Sequence, residues 1–228
     1  MMIARTLDAG ALARWVAGDE VYGADPGLRS DLERRQIGYV LAVAKTHQVA
    51  TSSRACQAGA LTRLPRSAWQ RYSAGEGAKG HRYYGWAWIS IQPGQPGCHW
   101  LLIRRNRTTR ELAFYRCYSP RHVLLPVLAR VGGQRWRTEE NFQAAKGLAG
   151  LDEHQVRRWA SWYRWTTLAM LACAFLTIAA ATEHTPAQAA SQIPLTRNEI
   201  AGLFATLIIQ PIPDTRHHLR WSAWRRRW

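Results

Sequence analysis

A chain of 228 residues with 47% hydrophobic content has the mass and apolar fraction of a folded protein, which excludes disorder throughout. The 31 Lys and Arg against 15 Asp and Glu leave a formal charge of +16, and 12 Trp accompany an arginine-dominated basic set. That pairing favours polyanionic partners, through phosphate contact and stacking on bases, over a basic surface that only aids solubility.

In chain order, residues 3–13 carry Ile3, Leu7 and Ala11 at helical spacing. Residues 14–21 (RWVAGDEV) read as a short strand ending in two acids, followed by an ADPG turn and a helix over 30–35. Residues 38–44 (GYVLAVA) give a second strand, so strand, helix and strand have the spacing of a βαβ unit with parallel pairing. From 46 to 121 the sequence is rich in Gly, polar and aromatic residues. Strands are expected at 82–91, 99–104 and 111–118, the last two forming a hairpin across RNRTTR. Helices are expected at 122–130, 139–149, 152–182 and 198–209, ahead of the tail RHHLRWSAWRRRW.

The four Cys lie far apart without a CxxC pair, which points away from a zinc site and towards reduced, mostly buried thiols in a cytoplasmic protein. No apolar stretch with a cleavage site opens the chain. The longest apolar run, 168–181, is about 14 residues, short of the roughly 20 that a membrane span needs. It reads as a buried core helix, and no membrane partner is expected.

Chemistry concentrates in RWRTEENFQAAKG, residues 135–147. At roughly 100° per residue, Arg135, Glu139 and Lys146 fall within about 40° of one another, placing one acid and two bases on a narrow helix face. Such a carboxylate stays ionised and suits a divalent ion, with the cations left to grip a phosphodiester. The same spacing also serves ordinary surface salt bridges. GEGAKG (residues 75–80) spells GxGxxG but precedes a strand, so it reads as a loop offering Lys79 to DNA. His154, Arg158, Trp162 and Trp165 share a helix face read as core packing by the Trp rings. Arg225, Arg226 and Arg227, with the Trp residues of the tail, suit sequence-independent backbone binding.

Arg135, Glu139 and Lys146 inside RWRTEENFQAAK resemble the Tyr-x2-Arg-x3-Glu-x6-Lys signature of bacterial insertion-sequence transposases of the DDE class. The following GLAGLDEHQVRRWASWYRWTTLAMLACAF is similar to the C-terminal part of such transposases. WVAGDEVYG resembles the segment carrying their second catalytic Asp, which maps onto Asp19. The resemblance implies an α/β fold, an RNase H-like core whose first strands are missing here, with a β-rich insertion and a helical C-terminal part. The corresponding boundaries are 1–45 for the partial core, 46–121 for the insertion, 122–190 for the helical remainder and 191–228 for the last helix and basic tail.

The resemblance further implies metal-dependent DNA cleavage and strand transfer in the intact family, with two Mg²⁺ (or Mn²⁺) ions held by Asp19, Glu139 and a first Asp. Arg135 and Lys146 would hold the phosphate. Partners implied are DNA at transposon ends and a further subunit, either a second copy or an intact transposase. The sequence departs from the pattern twice. Gly132 stands where the signature has Tyr, and no strand with an Asp precedes Asp19, since Asp8 falls in the first helix. The expectation is therefore a transposase fragment inactive by itself, the alternatives being a DNA-binding or subunit-binding competitor and a basic nucleic-acid-binding protein of other descent.

Overall fold

The first strand stops earlier than its apolar run, because Asp19 turns the chain. In the computed structural model, which describes residues 2–77, 80–155, 157–183 and 195–209, β1 covers Trp15–Gly18. The Asp19 carboxylate then accepts from the backbone N–H of Val21 (3.0 Å) and Tyr22 (3.5 Å), capping the short helix α2, Glu20–Ala24. Glu20 and Val21 are thus helical, not the end of a strand. The ADPG segment is likewise a helix start. Asp25 accepts from the N–H of Gly27 and Leu28, Pro26 occupies the first turn, and α3 runs Pro26–Arg34. Ahead of β1, α1 spans Met2–Asp8 and ends near Gly10, whose φ of 89° suits glycine.

Strand β2 (Gly38–Val43) pairs in parallel with β1, Trp15 opposite Gly38 and Gly18 opposite Leu41, as the βαβ spacing predicts. Both faces of β2 are covered, which is why its sequence is a continuous apolar run. Next come a small two-stranded arm, β3 (Gln48–Ala50) with β4 (Ala55–Gln57), and an antiparallel meander: β5 (Gln70–Gly77), β6 (Gly80–Ser90), β7 (Cys98–Arg105) and β8 (Leu112–Ser119). The β7–β8 hairpin lies across RNRTTR as expected. Its turn is held by the Asn106 side chain, which accepts from the N–H of Thr108 and Thr109.

One difference concerns the β-rich stretch. Strand β8 pairs antiparallel with β2 along Tyr39–Tyr118 to Val43–Phe114, so the meander extends the β1–β2 sheet instead of standing beside it. The result is one mixed six-stranded sheet of order β1-β2-β8-β7-β6-β5, with β1 at its edge.

The chain divides into two compact units, Met1–Glu139 and Glu140–Trp228. In the first, one sheet face packs Val40, Trp86, Trp100, Leu102, Tyr115 and Cys117 against Leu125, Leu128 and Ala129 of α4, Leu125–Ala149. The helices expected at 122–130 and 139–149 are therefore one. Gly132 and Gly133 do not break it because they are where the helix meets the sheet. A Cβ on Gly133 would lie 1.8 Å from the Ala74 carbonyl oxygen, and one on Gly132 would lie 3.3 Å from Val40. The opposite face carries two apolar clusters, one around Leu28, Leu32, Tyr39 and Leu41, the other around Val49, Ala58, Leu101 and Ile103.

In the second unit, α4 ends at Gly150 (φ 59°), α5 spans Trp159–Glu183 and α6 spans Arg197–Leu207. Thr196 and Glu199 form a reciprocal capping box on α6. Phe175 meets Phe204 edge-on at 5.8 Å. The run 168–181 is not the buried core helix its composition predicts. Along α5 only Ala169 and Leu176 are buried, while Leu168, Met170, Leu171, Phe175 and Ile178 are exposed. Among the described residues α5 is the one helix long and apolar enough to cross a membrane. Trp162 and Trp165 are exposed too, so core packing does not explain their face; Trp165 instead donates its indole N–H to the Gly150 carbonyl at 2.8 Å. Of the four free cysteines only Cys117 is buried, and Cys56, Cys98 and Cys173 are half-buried, fewer than expected.

Candidate functional site

Within the first unit, β1 and α4 border a cleft of about 450 Å³ lined by Trp15, Ala17, Val127, Arg130, Val131, Gln134, Arg135 and Thr138. The helix residues recur at three- and four-residue spacing, so they form one stripe facing the edge strand. Trp15 and Ala17 face it because alternate residues of a strand share a side. Two separate helices at 122–130 and 139–149 leave Gln134 outside either helix and Arg130 at the end of one. The unbroken spacing through the glycine pair is the signal that reveals them.

Strand register fixes where the two carboxylates stand. The end of β1 nearest Asp19 is the end of the sheet that carries Val43, Leu112, Arg105 and Gly85. Helix α4 starts against the other end, and its Trp136 ring lies under the Arg82 guanidinium, 5.7 Å away, beyond Gly85 on β6. Asp19 and Glu139 therefore occupy the same end of the sheet, Asp19 two residues past Ala17 and Glu139 one turn past Arg135. They make no hydrogen bond to each other among the described residues. Glu139 accepts from the Arg135 guanidinium at 2.6 Å, both side chains being partly exposed. Such an exposed i,i+4 pair contributes a few tenths of a kcal/mol, about 0.3–0.5.

Lys146 is exposed on the portion of α4 belonging to the second unit. Lys79, Arg225, Arg226 and Arg227 lie outside the described residues.

The donor chemistry does not fit a pair of divalent ions. Asp19 is occupied in capping α2, Glu139 is paired to Arg135, and no group of three or more His, Cys, Asp or Glu side chains is assembled among the described residues. A two-ion site needs more carboxylate oxygens than these two residues supply.

A second polar cluster lies on the face away from α4, between the two apolar clusters. The Tyr39 hydroxyl donates to Glu33 Oε1 at 2.7 Å, and burial together with this acceptor pushes the phenol well above its ordinary range. His99 is 4% exposed; its Nε2 lies 3.1 Å from the Pro96 carbonyl and its Nδ1 is 3.9 Å from Glu33. Burial holds the His99 imidazole below its ordinary pKa, and burial with Arg116 and Arg29 nearby does the same to His47. Arg116 is buried on β8 with its Nε unpaired. These groups order the seam between α3 and the sheet, and none faces the cleft beside β1.

No protein-family model matches the chain, and no curated protein is significantly similar to it.

Proposed function

We propose that this chain is a DNA-handling polypeptide of the DDE insertion-sequence transposase type, built on an RNase H-like sheet, that binds DNA without cleaving it by itself. The observation that carries the reading is the convergence of two sequence-distant segments. Strand β1, which Asp19 follows, and the helix bearing Arg135 and Glu139 border one cleft, and the two acids lie towards the same end of the sheet. The resemblance pairs the same two segments.

Arg130, together with Arg135 paired to Glu139, lines the cleft, and the partner that suits these guanidinium groups is the phosphodiester backbone of DNA, in the cytoplasm. Lys146 and the tail arginines 225, 226 and 227 add to the positive charge of the chain as a whole. Mg²⁺ or Mn²⁺ would supply cleavage chemistry in a complete family site, but two engaged carboxylates do not make one, so no cleavage step is assigned here. A subunit that presented a further strand along the open edge of β1 would find unpaired backbone groups waiting for it. This supports a second reading, a competitor that associates with intact transposase.

The test is affinity for duplex DNA measured against salt. Wild-type chain is expected to show a steep loss of affinity with rising salt, a shallower slope in Arg135→Gln/Lys146→Gln, and a shallower one again without residues 216–228. Salt-independent binding, or slopes identical in all three proteins, contradicts the reading.

A further inference from the structure

We infer that a second phosphodiester-binding surface lies on the face of the sheet opposite α4, in a notch formed by Trp69, Arg71, Arg105, Arg107 and Arg110. The inference rests on the DNA reading above and assigns a separate place for contact. The notch has a volume of about 370 Å³, and its lining includes no carboxylate. Its geometry comes from strand register. Arg71 on β5 stands opposite Gly85 on β6, and Gly85 stands opposite Arg105 on β7. Two arginines thus flank a residue with no side chain, on strands about 10 Å apart. Gly85 keeps the floor open, and the β7–β8 turn adds Arg107 and Arg110 at one rim.

Two of the arginines are held against aromatic rings, and among the described residues all four are left without a counter-charge. The Arg105 guanidinium lies 4.0 Å from the centre of the Trp69 ring, and that of Arg71 lies 4.3 Å from the centre of Tyr83. Stacking fixes the guanidinium plane and leaves its N–H edge for an acceptor, which lowers the entropy lost when a phosphate is bound. Among the described residues Arg71, Arg105, Arg107 and Arg110 form no ion pair. Glu111, next in sequence, lines a different cleft with Lys45. Four cations lining one notch repel one another unless an anion joins them, and a span of about 10 Å reaches from one phosphate to the next along one strand of duplex DNA.

The face is also settled by register. Arg104, the neighbour of Arg105, lies over Tyr84 and Tyr115 on the α4 side. Arg105 therefore points to the other side. DNA held in the notch and DNA held along Arg135 touch different surfaces at the same end of one sheet.

The experiment is fluorescence anisotropy of the full chain with labelled duplex DNA across a salt series. Arg71→Gln/Arg107→Gln/Arg110→Gln is the main variant, because Arg105 is the one packed on Trp69 and its loss risks the fold. The triple variant is expected to keep the wild-type unfolding midpoint and to flatten the plot of log affinity against log salt by about 2–3. Combined with Arg135→Gln/Lys146→Gln, the two reductions are expected to add, since the surfaces are separate. An unchanged slope in the folded triple variant overturns the notch and leaves the DNA reading standing, whereas wild-type chain without salt-dependent binding overturns both. Labelled poly-glutamate that binds wild type more tightly than duplex DNA at equal charge concentration, and loses that preference in the triple variant, assigns the notch to acidic polypeptides and overturns the DNA assignment.

Discussion

The two units of this chain use similar apolar sequences to opposite ends. In the first, Trp86, Leu101, Leu102 and Ile103 are fully buried between layers, and each such aliphatic side chain removes area worth about 1.5–3 kcal/mol from water. In the second, α5 is the most continuously apolar stretch of the chain, yet most of its large side chains face outward. Apolar content therefore shows what can be buried. Which residues are buried depends on whether another layer of the same chain is there to cover them.

Substitutions sharpen this contrast, and the largest effect is expected at Trp86. Trp86→Ala removes a ring packed between the sheet and α4 whose indole N–H donates to the Tyr72 carbonyl, and should destabilise the first unit by about 3–5 kcal/mol in urea unfolding. Leu171→Ala on exposed α5 should change stability by no more than about 0.5 kcal/mol. Comparable losses at the two positions would break the distinction.

Two glycines of α4 make the same comparison within one helix. Gly133→Ala forces a methyl group onto the Ala74 carbonyl and should cost about 1–3 kcal/mol. Gly147→Ala meets nothing within 4 Å and should stabilise the helix by about 0.5–1 kcal/mol. Thermal unfolding of the two variants checks the opposite signs.

Acid sensitivity belongs to the first unit. Burial holds the His99 and His47 pKa values below their ordinary 6.5, so the unfolded chain binds more protons than the folded one in mildly acidic solution. The stability these neutral imidazoles contribute is present above about pH 6.5 and is lost as the pH falls through their folded values. His99→Gln is expected to flatten stability against pH below 6.5. A slope equal to wild type would remove His99 from the acid response. At the α6 cap, Thr196→Ala should cost about 1 kcal/mol of local helix stability, read by amide hydrogen exchange.

Much of the sheet is legible in the sequence because its signals are local. Alternating or continuous apolar runs bounded by turn residues mark β2, β6, β7 and β8, and the strand-helix-strand spacing predicts the parallel β1–β2 pair. What is not legible depends on partners distant in sequence. Nothing near residue 118 announces that β8 pairs with β2, and Gly132–Gly133 looks like a break until Ala74 is seen to need the space. At the candidate site, helix periodicity gives the Arg135–Glu139 pair. The approach of β1 needs the sheet, as does the row Arg71, Gly85, Arg105, whose members are adjacent only through strand register. The exposure of α5 could not be read from its composition, which is that of a core.

The most direct test of the central claim is a single titration of supercoiled plasmid DNA with the full chain in Mg²⁺, reading bound and nicked fractions together. Binding that weakens with salt while the plasmid stays intact is the predicted result. Contradiction would come from no binding, or from robust cleavage that Glu139→Ala abolishes.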